Sequence, residues 1–304
     1  MKVLILGGSG FLGANLADEF VNKGDDVISF DLLHTEANSK ITYIDGDFFH
    51  YDFEKLIDKC DAIIHAICTI STNNCDETFM RGYSLDFVRG VEIFDLCSRK
   101  HKKLIFLSSG GTVYGDADVI PTSENVPTKP ISHYGVLKVA LENVARVFNK
   151  TYGKNILSVR ISNPYGPGQD YRKGIGFIDA AIRKSLLNEE MTIYGDGNIC
   201  RDYIYIDDVR RIIVELAHRE FDYEVLNIGS GIGTSQNEIV KLLSELGYKL
   251  RVKYVEKRGY DVQMNILDNT LLKKIYKPDL VPVKEGIKLY ANYLKQYLGD
   301  KKWF

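Results

Sequence analysis

The sequence lacks the long apolar segments that would place it in a membrane or in the secretory pathway. Its longest apolar runs are the length of a strand, far short of the roughly 20 residues that span a bilayer. The run at residues 3–6 leads directly into Gly7 and is too short for the apolar part of a signal peptide. We therefore expect a cytoplasmic protein with no membrane partner.

Cysteine and net charge are also scarce. The cysteines contain no CxxC pair and are odd in number, so we expect reduced thiols and no metal site; they are Cys60, Cys68, Cys75, Cys97 and Cys200. The formal net charge is −2 and the pI is about 6.3, which does not favour a basic face for nucleic acid. With 304 residues, the chain is long enough for one large domain and a smaller lobe.

Short apolar runs alternate with amphipathic segments through the first half of the chain. The apolar runs predict strands buried on both faces, at residues 3–6, 27–30, 41–44, 62–65, 104–107 and 156–160. Helical spacing follows the first run and recurs at residues 87–96 and 134–149. This alternation predicts an α/β fold with a doubly wound parallel sheet.

After Pro164 the pattern changes to glycine-rich loops, a predicted helix at residues 178–187 and a short strand at 191–194. We therefore predict two parts. Residues 1–163, joined by returning residues 204–229, form a nucleotide-binding domain, and residues 164–203 and 230–304 form a smaller mixed α/β lobe.

Gly7, Gly10 and Gly13 form a GxxGxxG pattern between the first predicted strand and helix. Glycine allows main-chain N–H groups to approach a phosphate at the positive end of the helix dipole, and Gly13 would allow tight packing on the sheet. Asp31 ends the second predicted strand, where a carboxylate accepts hydrogen bonds from adenosine ribose and repels a 2′-phosphate. The pattern predicts a site for NAD rather than NADP.

Tyr134 and Lys138 are four residues apart at the start of a predicted helix, so they share one face. A phenol has a pKa of about 10, which a neighbouring ammonium and a cationic nicotinamide ring would lower. A phenol with a lowered pKa is a general base near neutral pH. A solvated helix with an incidental Tyr and Lys is the alternative, since this spacing is common.

With these motifs in order over nearly its whole length, the chain resembles the extended short-chain dehydrogenase/reductases of the nucleotide-sugar epimerase and dehydratase family. The likeness is greatest to the UDP-glucose 4-epimerases. Further landmarks are Gly46-Asp47, His65-Ala66, the segment from Ser108 to Gly115, Asn163 to Gly168, Tyr194 to Gly197, Arg201 to Tyr203, Asn227 to Gly231, and Arg258 with Asp261.

The resemblance implies a Rossmann domain and assigns roles by position. It implies that Tyr134 is the base and that Lys138 binds the nicotinamide ribose. The other implied cofactor contacts are Gly7, Gly10, Phe11, Leu12, Gly13, Asp31, Asp47, Phe48, Ala66 and Ser108. The implied substrate contacts are Asn163, Thr192, Tyr194, Arg201 and Arg258, with Tyr194 stacking on uracil and both arginines on the diphosphate.

Three positions depart from the family pattern. Gly110 stands where a hydroxyl usually assists the base, so we expect Thr112 to replace it, with Ser109 as second choice. Phe87 stands where the family has an NAD-contacting Asn. Asn265 stands where a bulky Tyr limits the sugar 2-substituent in some epimerases, which leaves an N-acetylated sugar open.

The resemblance implies NAD-dependent 4-epimerisation of a UDP-hexose, either UDP-glucose/galactose or the N-acetylated pair, by a homodimer. A 4,6-dehydratase would need an acidic pair where Gly111 and Thr112 stand. A nucleotide-sugar reductase would use NADPH, which Asp31 disfavours. A non-enzymatic NAD-binding protein is the remaining alternative, against which Tyr134 and Lys138 both argue.

Overall fold

The computed structural model describes residues 1–34, 38–170, 176–257 and 262–299. The strands are β1 Lys2–Leu6, β2 Asp26–Asp31, β3 Ile41–Asp45, β4 Ala62–His65, β5 Lys103–Ser109, β6 Ile156–Ile161, β7 Asn163–Tyr165, β8 Glu190–Tyr194, β9 Cys200–Tyr205, β10 Val225–Ile228, β11 Gly233–Ser235, β12 Arg251–Val255 and β13 Met264–Asn265. The helices are α1 Phe11–Lys23, α2 Glu54–Asp58, α3 Cys75–Arg81, α4 Val88–Arg99, α5 His133–Tyr152, α6 Phe177–Leu186, α7 Ile206–Ala217, α8 Gln236–Glu245, α9 Thr270–Ile275 and α10 Val283–Gly299. A π-helical turn, Gly82–Phe87, joins α3 to α4.

The predicted doubly wound parallel sheet is confirmed. Seven parallel strands lie in the order β10-β6-β5-β4-β1-β2-β3. The chain leaves β1 toward β2 on one side and later returns to β4 on the other, so the order of connection reverses beside β1. Clefts that bind ligands form at the carboxyl ends of strands at such a reversal. The glycine loop after β1 lies at this point.

Alternate residues of β1 enter two separate cores, which explains its uninterrupted apolar sequence. Val3 and Ile5 pack in the core that also contains residues of α1 and α7. Leu4 and Leu6 pack in the core that contains residues of α4 and α5. Each fully buried aliphatic side chain contributes about 1.5–3 kcal/mol to folding. Helices therefore cover both faces of the sheet.

Helix α5 carries the predicted base and begins at a capped end. The Ser132 hydroxyl accepts a hydrogen bond from Gly135 N at 3.2 Å. Leu137, Leu141 and Ala145 follow at four-residue spacing and are buried, which fixes the rotation of the helix against the sheet. This rotation directs Lys138 inward, where its side chain is 3% exposed.

The second half of the chain adds a small four-stranded sheet, in which β11, β7 and β13 pair with β9, and a separate pair of β8 with β12. Strand β10 returns to the large sheet beside β6. The domain limits at residues 163, 203 and 229 stay a prediction. Within the described residues, no helix has the length and apolar content needed to cross a bilayer.

Candidate active site

The loop between β1 and α1 folds so closely that Gly7 and Gly13 have no room for a side chain. A Cβ on Gly13 would lie 2.0 Å from the Gly7 carbonyl oxygen, and Gly7 has a φ of +93°, which favours glycine. Gly10 is the N-cap of α1, and its N–H donates to the Gly7 oxygen at 3.2 Å. The first turn of α1 therefore presents main-chain amides at the cleft, as an anion site requires.

Phe11 and Leu12 open α1 and pack, partly buried, against the core on that side of the sheet. Phe11 also lines the large cavity described below. Both residues therefore seat the helix end whose amides face the cleft.

Asp31 joins the end of β2 to the glycine loop. Its Oδ2 accepts a hydrogen bond from Ser9 N at 2.9 Å, and its Oδ1 accepts one from Leu32 N at 2.7 Å. The carboxylate is thus held next to the loop, at the place where the sequence predicts contact with an adenosine ribose. Acid, glycine turn and helix end together fit a dinucleotide.

Asp47 and Phe48 follow β3 and Ala66 follows β4, so all three lie at the carboxyl edge of the sheet. Hydrogen bonds from His50 and from Phe49 N hold the pKa of Asp47 below its ordinary value. Ala66 N donates to the Leu6 oxygen at 2.9 Å, which places the end of β4 directly beside the glycine loop. The Phe48 side chain is buried among aromatic rings, so only its main chain is available to a cofactor.

Tyr134 and Lys138 lie together at the carboxyl end of β5. The Lys138 Nζ is 5.5 Å from the centroid of the Tyr134 ring and donates to the Leu107 oxygen at 2.8 Å. Burial raises the pKa of Tyr134, while the charge of Lys138 and a hydrogen bond from the Ser109 side chain act in the opposite direction. In the polypeptide without the nicotinamide ring, the pKa of Tyr134 is thus raised, and Lys138 acts in the predicted sense.

Lys138 is held in its charged form. Burial opposes the ammonium, but the acidic groups around it, Tyr134 first, outweigh burial and raise the pKa of Lys138. The protein thus places a permanent cation beside a phenol. This pairing favours loss of the phenol proton when a further positive charge approaches.

Ser109 and Thr112, the two candidate hydroxyls, both line the large cavity described below together with Tyr134. The Ser109 side chain acts to lower the pKa of Tyr134, whereas the Thr112 hydroxyl is buried and has no hydrogen-bond partner among the described residues. In the turn after β5, Thr112 N and Val113 N both donate to the Ser109 oxygen. The effect on Tyr134 favours Ser109, the second choice from the sequence, and the assignment of the assisting hydroxyl stays a prediction.

Ser108 lies one residue earlier and points into a buried polar network. Its hydroxyl donates to Glu142 Oε1 at 2.5 Å, and Glu142 also accepts a hydrogen bond from Arg160 Nη2 at 2.6 Å. The Ser108 hydroxyl is therefore committed to the helix–sheet interface, and its predicted cofactor contact is left to the main chain.

A cavity of about 640 Å³ opens between the large sheet and the second lobe. Ser109, Tyr134 and Asn163 line it together with Tyr194 of β8 and Arg201 of β9. This volume is in the range of small-molecule sites. The predicted base and three of the predicted substrate contacts thus line one cavity.

Asn163 and the other two predicted substrate contacts, Thr192 and Arg258, differ in placement. The Asn163 amide donates to the Asp202 oxygen at 2.9 Å and borders the cavity. Thr192 is exposed on β8, where it lies beside Lys253 of β12, and it is not among the lining residues. Arg258 lies outside the described residues.

Ser71, Thr72 and Asn73 line the cavity and were not predicted from the sequence. They follow β4 after a short loop, so three consecutive polar residues soon after a buried strand were the available signal. They add neutral hydrogen-bonding groups to the wall that holds Tyr134.

Two of the departures from the family pattern gain a structural explanation. Asn265 is 3% exposed and donates from its amide to the Gly110 oxygen at 3.1 Å, so it supports the turn after Ser109 and does not line the cavity. In the π-helical turn, Asp86 is buried while Phe87 is only partly buried. The inward polar residue is therefore Asp86, one position before the expected one.

Comparison with known proteins agrees with this arrangement. Residues 3–229 match the sequence model described as the NAD dependent epimerase/dehydratase family. Over 310 residues, the chain is 28% identical to the UDP-glucose 4-epimerase of Mycolicibacterium smegmatis, covering 97% of this chain and 99% of that one.

Solved structures give the same result. The UDP-glucose 4-epimerase of Thermotoga maritima, solved with UDP-glucose, superposes with a TM-score of 0.90 at 31% sequence identity. The match covers 98% of this chain and 100% of that one. The UDP-N-acetylglucosamine 4-epimerase of Methanobrevibacter ruminantium, in complex with UDP-N-acetylmuramic acid, superposes with a TM-score of 0.90 at 26% identity, covering 97% and 98%. The chain therefore belongs to the NAD dependent epimerase/dehydratase family, and its cofactor is NAD.

Proposed function

We propose that the protein catalyses 4-epimerisation of a UDP-hexose through a transient 4-keto sugar. The observation that carries this proposal is the shared cavity, which Tyr134, beside Lys138, lines together with Ser109, Tyr194 and Arg201. A base that meets the sugar and a stacking ring with a cation for the nucleotide are what this reaction requires.

The residues around the phenol suit removal of a hydroxyl proton. In the proposed reaction, the Tyr134 oxygen takes the proton of the sugar 4-OH, and the Ser109 hydroxyl forms a hydrogen bond with the sugar O4. Lys138 keeps its own proton and stabilises the phenolate. NAD held beside Tyr134 and Lys138 would supply the hydride acceptor for C4 of the sugar.

The proposed cofactor site uses the glycine loop for the pyrophosphate and Asp31 for the adenosine ribose. The loop that fits the pyrophosphate is a tight turn. It requires glycine at position 13, because a side chain there would overlap the Gly7 oxygen. Main-chain atoms at Asp47, Phe48 and Ala66 border the same edge of the sheet. Lys138 is the proposed contact to the nicotinamide ribose.

In the cavity, the proposed substrate site binds the nucleotide. Arg201 would bind the diphosphate, because a guanidinium matches two phosphate oxygens, and Tyr194 would stack on uracil. Asn163 lines the same cavity. Residues 164–203 and 230–304 form the proposed nucleotide-sugar lobe, and residues 1–163 with 204–229 the NAD domain.

A 4,6-dehydratase is the second candidate, since the family description includes dehydratases. That chemistry needs an acidic side chain beside the assisting hydroxyl. Gly111 and Thr112 occupy this place, and the described lining residues include no Asp or Glu. The described cavity wall therefore favours epimerisation.

The neutral wall of Ser71, Thr72 and Asn73 supports a neutral hexose, plain or N-acetylated. We also propose a homodimer formed through α4 and α5, where Val88, Val136 and Val147 are exposed apolar residues. Size-exclusion chromatography with light scattering tests this point. A monomer at micromolar concentration would contradict it.

The direct test is incubation of the purified protein with NAD and either UDP-glucose, UDP-GlcNAc or UDP-glucuronate, followed by NMR of the products. We expect the 4-epimer of at least one neutral substrate, with no net change in NADH. Accumulation of a 4-keto-6-deoxy sugar would indicate a dehydratase. Stoichiometric consumption of added NADPH would indicate a reductase, and no conversion at all would refute the proposal.

A further inference from the structure

Asp86 is a buried carboxylate whose place in the fold depends on the π-helical turn. The buried residues of this segment are Gly82, Asp86 and Gly90, at four-residue spacing. A π turn inserts one residue and occurs preferentially at functional sites. Asp86 is 4% exposed and faces the loop that follows β4.

One oxygen of Asp86 anchors that loop. Asp86 Oδ2 accepts hydrogen bonds from Thr69 N at 2.9 Å and from Thr69 Oγ1 at 3.0 Å, and the Cys68 thiol lies 3.7 Å away. The preceding residue, Ile67, would touch a side chain on Gly7 at 3.0 Å. The loop that Asp86 holds therefore lies against the glycine loop.

The other oxygen, Asp86 Oδ1, is buried and has no hydrogen-bond partner among the described residues. A buried carboxylate with an unpaired oxygen costs several kcal/mol unless a nearby cation offsets it. Lys138 is the cation near this segment, because the π-helical turn packs against α5, which carries both Tyr134 and Lys138. The charge of Asp86 acts to raise the pKa of both groups.

The other titratable groups around this pair are accounted for. His65 on β4 is kept neutral, because burial and the Lys138 charge lower its pKa to about 3. Burial raises the pKa of the Cys68 thiol to about 11. Glu142 on α5 is paired with Arg160 at 2.6 Å. Asp86 is thus the anion of this group that is not paired with an arginine.

We propose that Asp86 is a positioning residue that fixes residues 68 and 69 beside the glycine loop and, as the counter-charge of Lys138, governs the charge state of Tyr134. The inference rests on the proposed function, in which Tyr134 is the base. It assigns to this chain an anionic partner for the Tyr134–Lys138 pair, carried by the helix segment before α4.

Asp86→Asn separates charge from shape, because the amide oxygen still accepts from Thr69. The charge of Asp86 raises the pKa of Tyr134, so its removal lowers that pKa and ionises the base at lower pH. The acid limb of kcat/KM should therefore move to lower pH. Lys138 keeps its proton in this range.

Thr69→Val is the matched control, because it removes a hydrogen bond to Asp86 and leaves the charge. It should lower kcat without moving the acid limb. Asp86→Ser removes the same charge with a smaller side chain and should show the same shift if Asp86→Asn melts too low to assay. An acid limb at the wild-type pH in the folded charge-removal variant would overturn the inference.

Affinity for the two cofactor forms provides a readout that does not need catalysis. Oxidised nicotinamide carries a positive charge that the reduced ring lacks, so loss of Asp86 should weaken NAD+ relative to NADH by about tenfold. An unchanged NADH/NAD+ affinity ratio, measured by calorimetry, would also overturn the inference. If no UDP-sugar is converted by the wild type, the proposed function fails while this ratio still decides the role of Asp86.

Discussion

The cofactor half and the substrate half of the cleft are built in different ways. The cofactor half consists of turns at the ends of adjacent parallel strands, where steric limits such as the 2.0 Å gap at Gly13 leave one allowed residue. The substrate half is held together by contacts between distant segments. Asp202, which is fully buried, accepts hydrogen bonds from Ser230 N at 2.8 Å and Leu267 N at 3.2 Å. The comparison indicates that local geometry specifies NAD, and long-range assembly specifies the sugar nucleotide.

Tyr134→Phe should give the largest effect, because it removes the proposed base without changing the fold. Turnover should fall by about a thousandfold or more, with NAD affinity within about threefold of wild type. Tyr152→Phe, at an exposed site on the same helix, is the control and should be unaffected. A Tyr134→Phe variant with wild-type turnover would remove the catalytic role from this half of the cleft.

Gly13→Ala tests whether steric limits define the cofactor half. The new Cβ would meet the Gly7 oxygen at 2.0 Å, so the loop must open. We expect about a hundredfold loss of NAD affinity and a lower melting temperature, as for a severe backbone clash. At Gly10 the nearest atom would be 3.3 Å away, so Gly10→Ala should keep the melting temperature while weakening NAD binding. Equal melting temperatures for both variants would contradict this difference.

Ser109→Ala and Thr112→Ala distinguish the two candidate hydroxyls. Loss of a hydrogen bond to a charged oxygen should reduce kcat about thirtyfold in Ser109→Ala. The effect of Thr112→Ala should be smaller, because its hydroxyl has no hydrogen-bond partner among the described residues. The reverse order in steady-state assays would restore the choice made from the sequence.

Arg201→Lys probes the substrate half. Lysine keeps the charge but loses the fork that suits two phosphate oxygens, so KM for a UDP-sugar should rise about tenfold with little change in kcat. Arg251→Lys, on β12 outside the cavity lining, is the control. A change in kcat alone would place Arg201 with the catalytic groups instead.

His65→Phe should have the smallest effect, on stability alone. Burial and the charge of Lys138 lower the pKa of His65 to about 3 from its ordinary value of 6.5. The unfolded chain therefore binds a proton below pH 6.5 that the folded chain refuses until about pH 3. As the pH is lowered between these two values, the free energy of unfolding of the wild type should fall by about 1.4 kcal/mol per pH unit more than that of the variant.

Urea titrations at pH 7 and pH 5 measure this difference. The neighbouring rings of Phe48, Phe94 and Phe106 form an apolar site that suits a phenyl ring. If the free energies of unfolding of the two proteins change equally with pH, His65 does not contribute to the pH dependence of stability.

The parts of the molecule that the sequence predicts are those set by local pattern. The sequence predicts β1 because both faces of this strand are buried and apolar. It predicts α5 because Ser132 precedes apolar residues at helical spacing. Asp86 could not be predicted, because the π-helical turn changes which residue faces inward. The sequence does not decide between Ser109 and Thr112, because the direction of each hydroxyl depends on the turn after β5. The cavity wall at Ser71 depends on how the loop after β4 folds, which no periodicity indicates.

The most direct test of the account is epimerisation of UDP-glucose labelled with deuterium at C4. If Tyr134 removes only the hydroxyl proton and the hydride returns to the same carbon, the UDP-galactose formed should retain the label at C4 in ordinary water. Loss of the label to solvent, or release of a labelled product other than the 4-epimer, would contradict the proposed reaction.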